Sequence, residues 1–431
     1  MAEIFSQIQR FLNDLGWLAN LLALAPVGLG IMVMGSARKW RSKYKQKKRN
    51  LFIQKMNSPA YMEWSQHVLR KIYTGLEFVS VYDKDYPAVI FRPGKEFSYP
   101  FDDLCHLTST EIAHIDLSAR QKEYLRFLGD TVKRPGMRGF ATREIVLDAQ
   151  GCVAAVLARA TTYQQNLVTA HVLEWELFKR YNDNQQITDG ILSELALRSA
   201  YHGGKPPLGA VLKPSDAYPL ISVQALVIFK DYRDPSHVNW KAIVAQRSDN
   251  VAIKPGLWQI HPAGGFEVFG HENDDLDLQL EQGFDVRTAL LREYAEEIHR
   301  VQEFSFCDGR ESGSILSEPH VAHLLQLIHT NNASIDFLGI VTDLTILRHE
   351  LSFLIVIDDP EYSRYETSGS SEARSIFRLS MAQLRTTFST HQVHSSSAGL
   401  LQLANASDRL ISLGISAELT SDLPSVSEAT Q

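Results

Sequence analysis

Cysteine is nearly absent from this chain of 431 residues: Cys105, Cys152 and Cys307 are odd in number, far apart and never paired as C-x-x-C. That excludes a disulfide framework and a structural zinc cluster, and it fits a reducing compartment. A P-loop, a G-x-S-x-G nucleophile elbow and a dinucleotide-binding fingerprint are equally missing, so the chemistries those motifs serve are not indicated. No internal repeat is present. Acids are missing from residues 38–49, which carry Arg38, Lys39, Arg41, Lys43, Lys45, Lys47, Lys48 and Arg49. In a chain of net charge −7, those eight positive charges leave −15 on everything else. The basicity is a local device, and nothing points to general DNA or RNA binding.

Just before that block runs Leu15 to Met34, twenty residues with Asn20 as their only strongly polar member. At about 1.5 Å rise per residue a helix of this length spans roughly 30 Å, the thickness of a bilayer's hydrocarbon core. Pro26, Gly28 and Gly30 suit a membrane helix better than a soluble one, and Trp17 and Trp40 lie where interfacial aromatics collect. Positive charge follows the run rather than preceding it, the reverse of a cleaved signal peptide. The positive-inside rule then puts the amino terminus outside the cell membrane and everything after residue 38 in the cytoplasm. The expected organisation is an amphipathic outer segment (1–14), a single transmembrane helix (15–35) and a basic juxtamembrane segment (36–56) drawn to anionic lipid.

Residues 57–210 read as an α+β region, either of its own or an elaboration packed on the carboxy-terminal domain, and offer no site chemistry. Helices are expected at 118–128, with a serine cap, and at 167–181. A strand–turn–strand is expected about Asp148–Gly151. His202-Gly203-Gly204-Lys205-Pro206-Pro207 cannot continue a helix and suggests a boundary. A second region at 215–390 has strands at 222–229, 240–248, 337–342 and 351–358, and a strand and helix within 375–384. Residues 391–431 add a helix and a tail, with Ser416–Gln431 expected to be disordered. His320-x-x-His323 and His391-x-x-His394 have metal-compatible spacing but no third ligand pattern, so they are expected at the surface or at helix caps.

The sharpest signal is Arg292-Glu293-Tyr294-Ala295-Glu296-Glu297, on a helix that Asp285 is placed to cap. At about 100° per residue, glutamates at i, i+3 and i+4 share one narrow arc. Carboxylates so crowded repel one another unless a cation neutralises them, and a hard divalent ion, Mg²⁺ or Mn²⁺, is the usual partner. Ahead of the helix, Trp258–Gly265 reads as a strand entering a glycine turn at Gly264 and Gly265.

Strands, glycine turn and acidic helix in this order resemble the Nudix hydrolases over about residues 218–390. The resemblance implies a Nudix-like α/β/α sandwich with a mixed sheet. In the family motif, G-x5-E-x7-R-E-U-x-E-E-x-G-U, Glu293, Glu296 and Glu297 would hold the metal. Arg292 would orient Glu293, and Glu293, Glu297 and Arg292 would carry catalysis. Gly264 and Gly265 would line the substrate, a nucleoside diphosphate linked to another group. Three departures stand out: Phe284 occupies the place of the first glutamate, eighteen residues rather than five separate it from Gly265, and His299-Arg300 replaces the closing glycine and aliphatic residue. Glu281 or Asp285 is placed to supply the missing acid.

A membrane span joined to a divergent domain of this kind is also similar to the SMODS-associated Nudix proteins of bacterial antiphage systems. That likeness implies a sensor of a signalling, cyclic nucleotide whose spans cluster as a homo-oligomer, with Gly28 and Gly30 permitting close helix contact.

Overall fold

The computed structural model describes residues 51–52, 54–129, 136–247, 256–268, 276–302, 312–365 and 373–420. The expected transmembrane helix, its outer segment and the basic residues 38–49 lie outside the described residues. Among the described residues, no helix is long and apolar enough to cross a membrane. The chain divides into two units, Met1–Lys55 and Met56–Gln431, and the elements from Pro59 onward belong to the second.

Helix α1 (Pro59–Ile72) starts where the Ser58 hydroxyl accepts the Tyr61 amide and proline occupies the first turn. Short strands β1 (Ser80–Val81), β2 (Lys84–Asp85), β3 (Ala88–Phe91) and β4 (Cys105–Leu107) follow. Helix α2 (Ala119–Leu128) begins at Ser118, which forms a reciprocal capping box with Gln121. Strands β5 (Arg138–Leu147) and β6 (Val153–Thr162) form the antiparallel hairpin expected about Asp148–Gly151, each longer than its apolar stretch suggests. The helical stretch at 167–181 opens with a π-turn, Leu167–His171, before continuing as α3 (Val172–Asp183). At this turn Asn166 Oδ1 accepts the Leu220 amide at 3.1 Å and Thr169 Oγ1 accepts the Tyr218 amide at 2.8 Å. Those bonds anchor the backbone leading into the next strand.

That strand is β7 (Ile221–Asp231), followed by β8 (Asn239–Arg247), β9 (Trp258–Ile260), β10 (Ala263–Gly265), helix α4 (Val286–His299), β11 (Ala333–Asp343), β12 (Arg348–Ile357), β13 (Ala373–Ser380) and helices α5 (Met381–Thr390) and α6 (Ser395–Asn405). One eight-stranded sheet runs β13-β8-β7-β12-β11-β3, with β9 attached to β8 and β10 to β7. β7 and β12 pair in parallel and the other neighbours antiparallel, so the sheet is mixed. β7 and β12 are buried along almost their whole length, which is why both read as near-continuous apolar runs.

β7 pairs with β8 only at its far end, Ile228 opposite Ala242, and with β10 at its start, Ser222 opposite Gly265. The stretch read as one strand from Trp258 is therefore two. It bends at a cis His261–Pro262 bond, and the bend enters where β7 and β8 part. Leu226, Ile228, Val244, Leu354 and Val356 face Met381, Phe388, Leu400 and Leu403 of α5 and α6 in one core. Helix α4 packs on β7 and β10 and adds nothing to that cluster, so helices cover both sides of a mixed α+β fold.

Residues 57–210 are joined to 215–390 by strand pairing, β3 with β11 (Phe91 opposite Ile340) and β5 through bridges from Gly139 to Glu267 and Ala141 to Leu220, which favours a packed elaboration over a region of its own. Pairing over such sequence distances leaves no local trace in composition. One expectation changes: the tail is not irregular from Ser416, since Ile415–Thr420 is helical, with Ile415 and Leu419 in the core; residues 421–431 lie outside the described residues.

Candidate functional site

Helix α4 starts where expected. The Asp285 carboxylate accepts the amides of Arg287 (2.9 Å) and Thr288 (3.3 Å) and the Thr288 hydroxyl (2.6 Å). The helix ends with Arg300 in the left-handed region at φ 54°, so the conformation a glycine would adopt falls one residue beyond His299. Along it Arg292, Glu293 and Glu297 are buried and Glu296 is half-buried.

Three contacts lock this helix to β10. Glu297 Oε2 accepts the Ala263 amide at 2.6 Å. Arg292 Nη2 donates to the Gly265 carbonyl at 2.6 Å and to Glu293 Oε1 at 2.5 Å. The Glu293 carboxylate lies against Gly264 so closely that a Cβ there would fall 2.0 Å from its Oε2. Any side chain at that position would have to displace the Glu293 carboxylate, whereas a Cβ on Gly265 would meet nothing within 4 Å. The structure thus brings together Arg292, Glu293, Glu297 and Gly264.

Burial pushes the Glu293 pKa well above the usual carboxylate range; Arg292 opposes the shift, and Glu297, Glu296 and Glu267 reinforce it. Burial also disfavours the Arg292 charge, but Glu293, Glu267 and Glu296 outweigh it and raise the guanidinium pKa. Three carboxylates, Glu293, Glu267 and Glu296, act on one guanidinium, and all-oxygen donors suit a hard divalent cation. The arrangement differs from the expected one, however. Among the described residues, no group of three His, Cys, Asp or Glu side chains is placed to hold a metal ion. Glu293, Glu296 and Glu297 do not converge as a ligand set, because Glu293 turns into Arg292 and Glu297 into the Ala263 amide.

Two neighbours were not singled out from the sequence. His261, on the cis bend, is 2% exposed, and its Nδ1 lies 2.7 Å from Glu297 Oε2. The approach is not aligned as a hydrogen bond, and neither ring nitrogen has such a partner. Glu267, just past the glycines, stands 3.9 Å from Arg292 Nη1. Its place at the head of an acidic insertion was the one available signal.

Phe284 packs on Phe140 of β5 (centroids 4.8 Å apart) and Phe266 (5.9 Å), an aromatic knot where the motif has an acid. Neither expected substitute supplies that acid: Asp285 is engaged as the helix cap, and Glu281 is exposed. The histidine pairs bear no ligand set either. His320 stacks on His299 at 4.1 Å, His323 Nδ1 meets the Tyr365 hydroxyl at 3.1 Å, and the ring of His394 caps α6.

No protein-family model and no curated protein matches the chain. Solved structures similar to it are Nudix proteins. The Nudix domain of Shewanella oneidensis NrtR, complexed with ADP ribose, is 15% identical over 49% of this chain and 97% of its own, at a TM-score of 0.26. A mutT/nudix family protein from Listeria innocua is 13% identical over 46% of this chain and 98% of its own, at 0.27. A bifunctional NMN adenylyltransferase/ADP ribose pyrophosphatase from Francisella tularensis, complexed with AMP and a manganese ion, is 14% identical over 53% and 52%, at 0.25. Likeness at these values says nothing about activity.

Proposed function

We propose that residues 218–390, on the frame of the full Met56–Gln431 unit, form a Nudix-type domain that binds a nucleoside-diphosphate-linked ligand with Mg²⁺ or Mn²⁺ and hydrolyses its pyrophosphate bond. The observation that carries this reading is the lock between α4 and β10, in which Glu293 lies against Gly264 while Glu297 and Arg292 hold the backbone on either side. Glu293, Glu296 and Glu297 would hold the cation only once Glu293 and Glu297 turn from their contacts with Arg292 and the Ala263 amide. When bound, such an ion neutralises phosphate charge and lowers the pKa of a coordinated water. Arg292 fixes Glu293, and a Cβ on Gly265 would meet nothing within 4 Å.

A second reading, ligand sensing without turnover, is favoured by the Phe140–Phe266–Phe284 knot, which fills with aromatic surface the place of an acid. In this reading the ligand is a signalling cyclic nucleotide, and the output is clustering of the 15–35 spans in antiviral defence. Both readings place the protein in the cell membrane by that span, with residues 38–49 against anionic lipid.

Full-length protein offered ADP-ribose and cyclic oligonucleotides with Mg²⁺ separates them. Cleavage that Glu297→Gln abolishes supports the hydrolase. Tight binding of a cyclic nucleotide without cleavage supports the sensor. Cation-independent behaviour that Glu297→Gln leaves intact overturns both.

A further inference from the structure

Successive residues of a strand face opposite sides of the sheet, and the two glycines of β10 are divided in that way. Gly264 looks toward α4, where Glu293 lies against it, so Gly265 looks toward the other face, where a Cβ would meet nothing within 4 Å. Its cross-strand partner is Ser222 on β7, and Ser222 in turn stands beside Glu350 on β12. This is the α6 face. Gln224, two residues on from Ser222, donates from Nε2 to the Ser396 carbonyl in the first turn of α6 at 3.2 Å. Arg348 at the start of β12 joins the row, its Nε donating to the Ser222 hydroxyl at 2.7 Å. That bond tethers the guanidinium, while among the described residues no hydrogen bond engages Nη1 or Nη2, and the side chain remains 24% exposed.

The acid beside Arg348 is Glu350, whose Oε1 lies 3.6 Å from Nε, too far for a hydrogen bond. Burial raises the Glu350 pKa; Arg348 opposes the rise, Asp343 reinforces it, and Ser396 and Arg247 oppose it. A carboxyl group pushed toward its neutral form leaves the arginine charge incompletely cancelled. A tethered guanidinium with two unengaged amino groups suits a phosphate, because its parallel N–H bonds match two oxygens of one group.

We propose that Arg348 is a phosphate-binding residue, held by Ser222 on the face of the sheet opposite the acidic helix, and that it grips the diphosphate of the ligand without a cation. Gly265, lacking a side chain, lets that diphosphate lie against the strand. The inference takes its ligand from the nucleoside-diphosphate reading above, but it does not depend on the α4 carboxylates.

The test is equilibrium binding of inorganic pyrophosphate and of ADP-ribose to the full chain in EDTA, by isothermal titration calorimetry, alongside the melting temperature. Arg348→Gln should weaken both probes about tenfold or more, the loss expected for a hydrogen bond to a charged group. Arg348→Lys, which keeps the charge without the fork, should recover only part of it. Arg364→Gln, which removes another exposed arginine, should leave both affinities unchanged. The inference is overturned if the parent binds neither probe in EDTA, or if Arg348→Gln binds both as tightly as the parent does. The nucleoside-diphosphate reading is then decided separately by the Mg²⁺ experiment above. Equal losses in Arg348→Gln and Arg364→Gln mean diffuse charge attraction and overturn the inference as well. Should Arg348→Gln melt lower than the parent, Gly265→Val decides, because it leaves the contacts of Arg348 with Ser222 and Glu350 in place. Weakened binding of both probes at parental melting supports the inference, and parental binding overturns it.

Discussion

The carboxylate of Glu293 occupies the space that any side chain on residue 264 would need: a Cβ on Gly264 would lie 2.0 Å from Glu293 Oε2. Gly264→Ala must therefore displace that carboxylate. Because the displaced group is the end of a flexible side chain, folding should suffer modestly, by roughly 1–3 kcal/mol. Mn²⁺ binding should fall much further, because Glu293 loses both its place and its contact with Arg292. Urea unfolding and Mn²⁺ titration of the same variant check both halves, and a Gly265→Ala control should bind and fold nearly as the parent does.

Asp285 does three things at the start of α4, accepting two amides and one hydroxyl. Asp285→Ala should cost about 1 kcal/mol, the usual loss for an N-cap. Asp285→Ser should recover most of it. Chemical denaturation midpoints of the three proteins measure this.

Phe140 belongs to the amino-terminal region, yet its ring is fully buried against Phe284 and Phe266. Phe140→Ala should destabilise the protein by about 3–5 kcal/mol, the range for truncating a buried aromatic. Fluorescence and circular dichroism should report a single shared unfolding transition, since the strand and the helix belong to one body. Two separate transitions would contradict that unity.

Much of this architecture is legible in the sequence, and what is legible is local. The Asp285 cap, the Ser118 cap and the glutamate spacing on α4 all lie within a turn or two of the residues they serve. Apolar runs disclosed β7 and β12 because strands buried on both faces have little room for polar residues. Hidden were the relationships that join distant segments. Nothing near Ala88 announces that β3 will pair with β11, and nothing near Phe284 names Phe140 as its partner. The sequence showed that glutamates share a helix face, but not that Arg292 and the Ala263 amide would each take one of them. The sequence assigned no role to His261 or Glu267 for the same reason: each meets the site through a contact made across the fold.

His349 on β12 is buried; its Nε2 lies 3.1 Å from the Val211 carbonyl, and Nδ1 has no partner. Burial pushes its pKa down to about 4 from 6.5, against the smaller opposing effect of the Val211 bond. The unfolded chain therefore binds this proton more readily than the folded one between about pH 6.5 and 4. Its share of stability is present above that window and is lost as pH falls through it, by up to on the order of 3 kcal/mol. His349→Leu should flatten the acid limb of a stability–pH curve measured from pH 7 to 4. An unchanged slope would show that the imidazole titrates freely in the folded protein.

The most direct test of the central claim, that the α4 carboxylates and β10 together form a cation-binding site, is the melting temperature of the full chain as Mn²⁺ is added. Selective binding to the folded state stabilises it by about 2.7 kcal/mol at a hundredfold excess over the dissociation constant. Melting should therefore rise with Mn²⁺ in the parent protein and stay flat in a Glu293→Gln, Glu297→Gln double variant. A flat parent, or an equal rise in both proteins, would contradict the account.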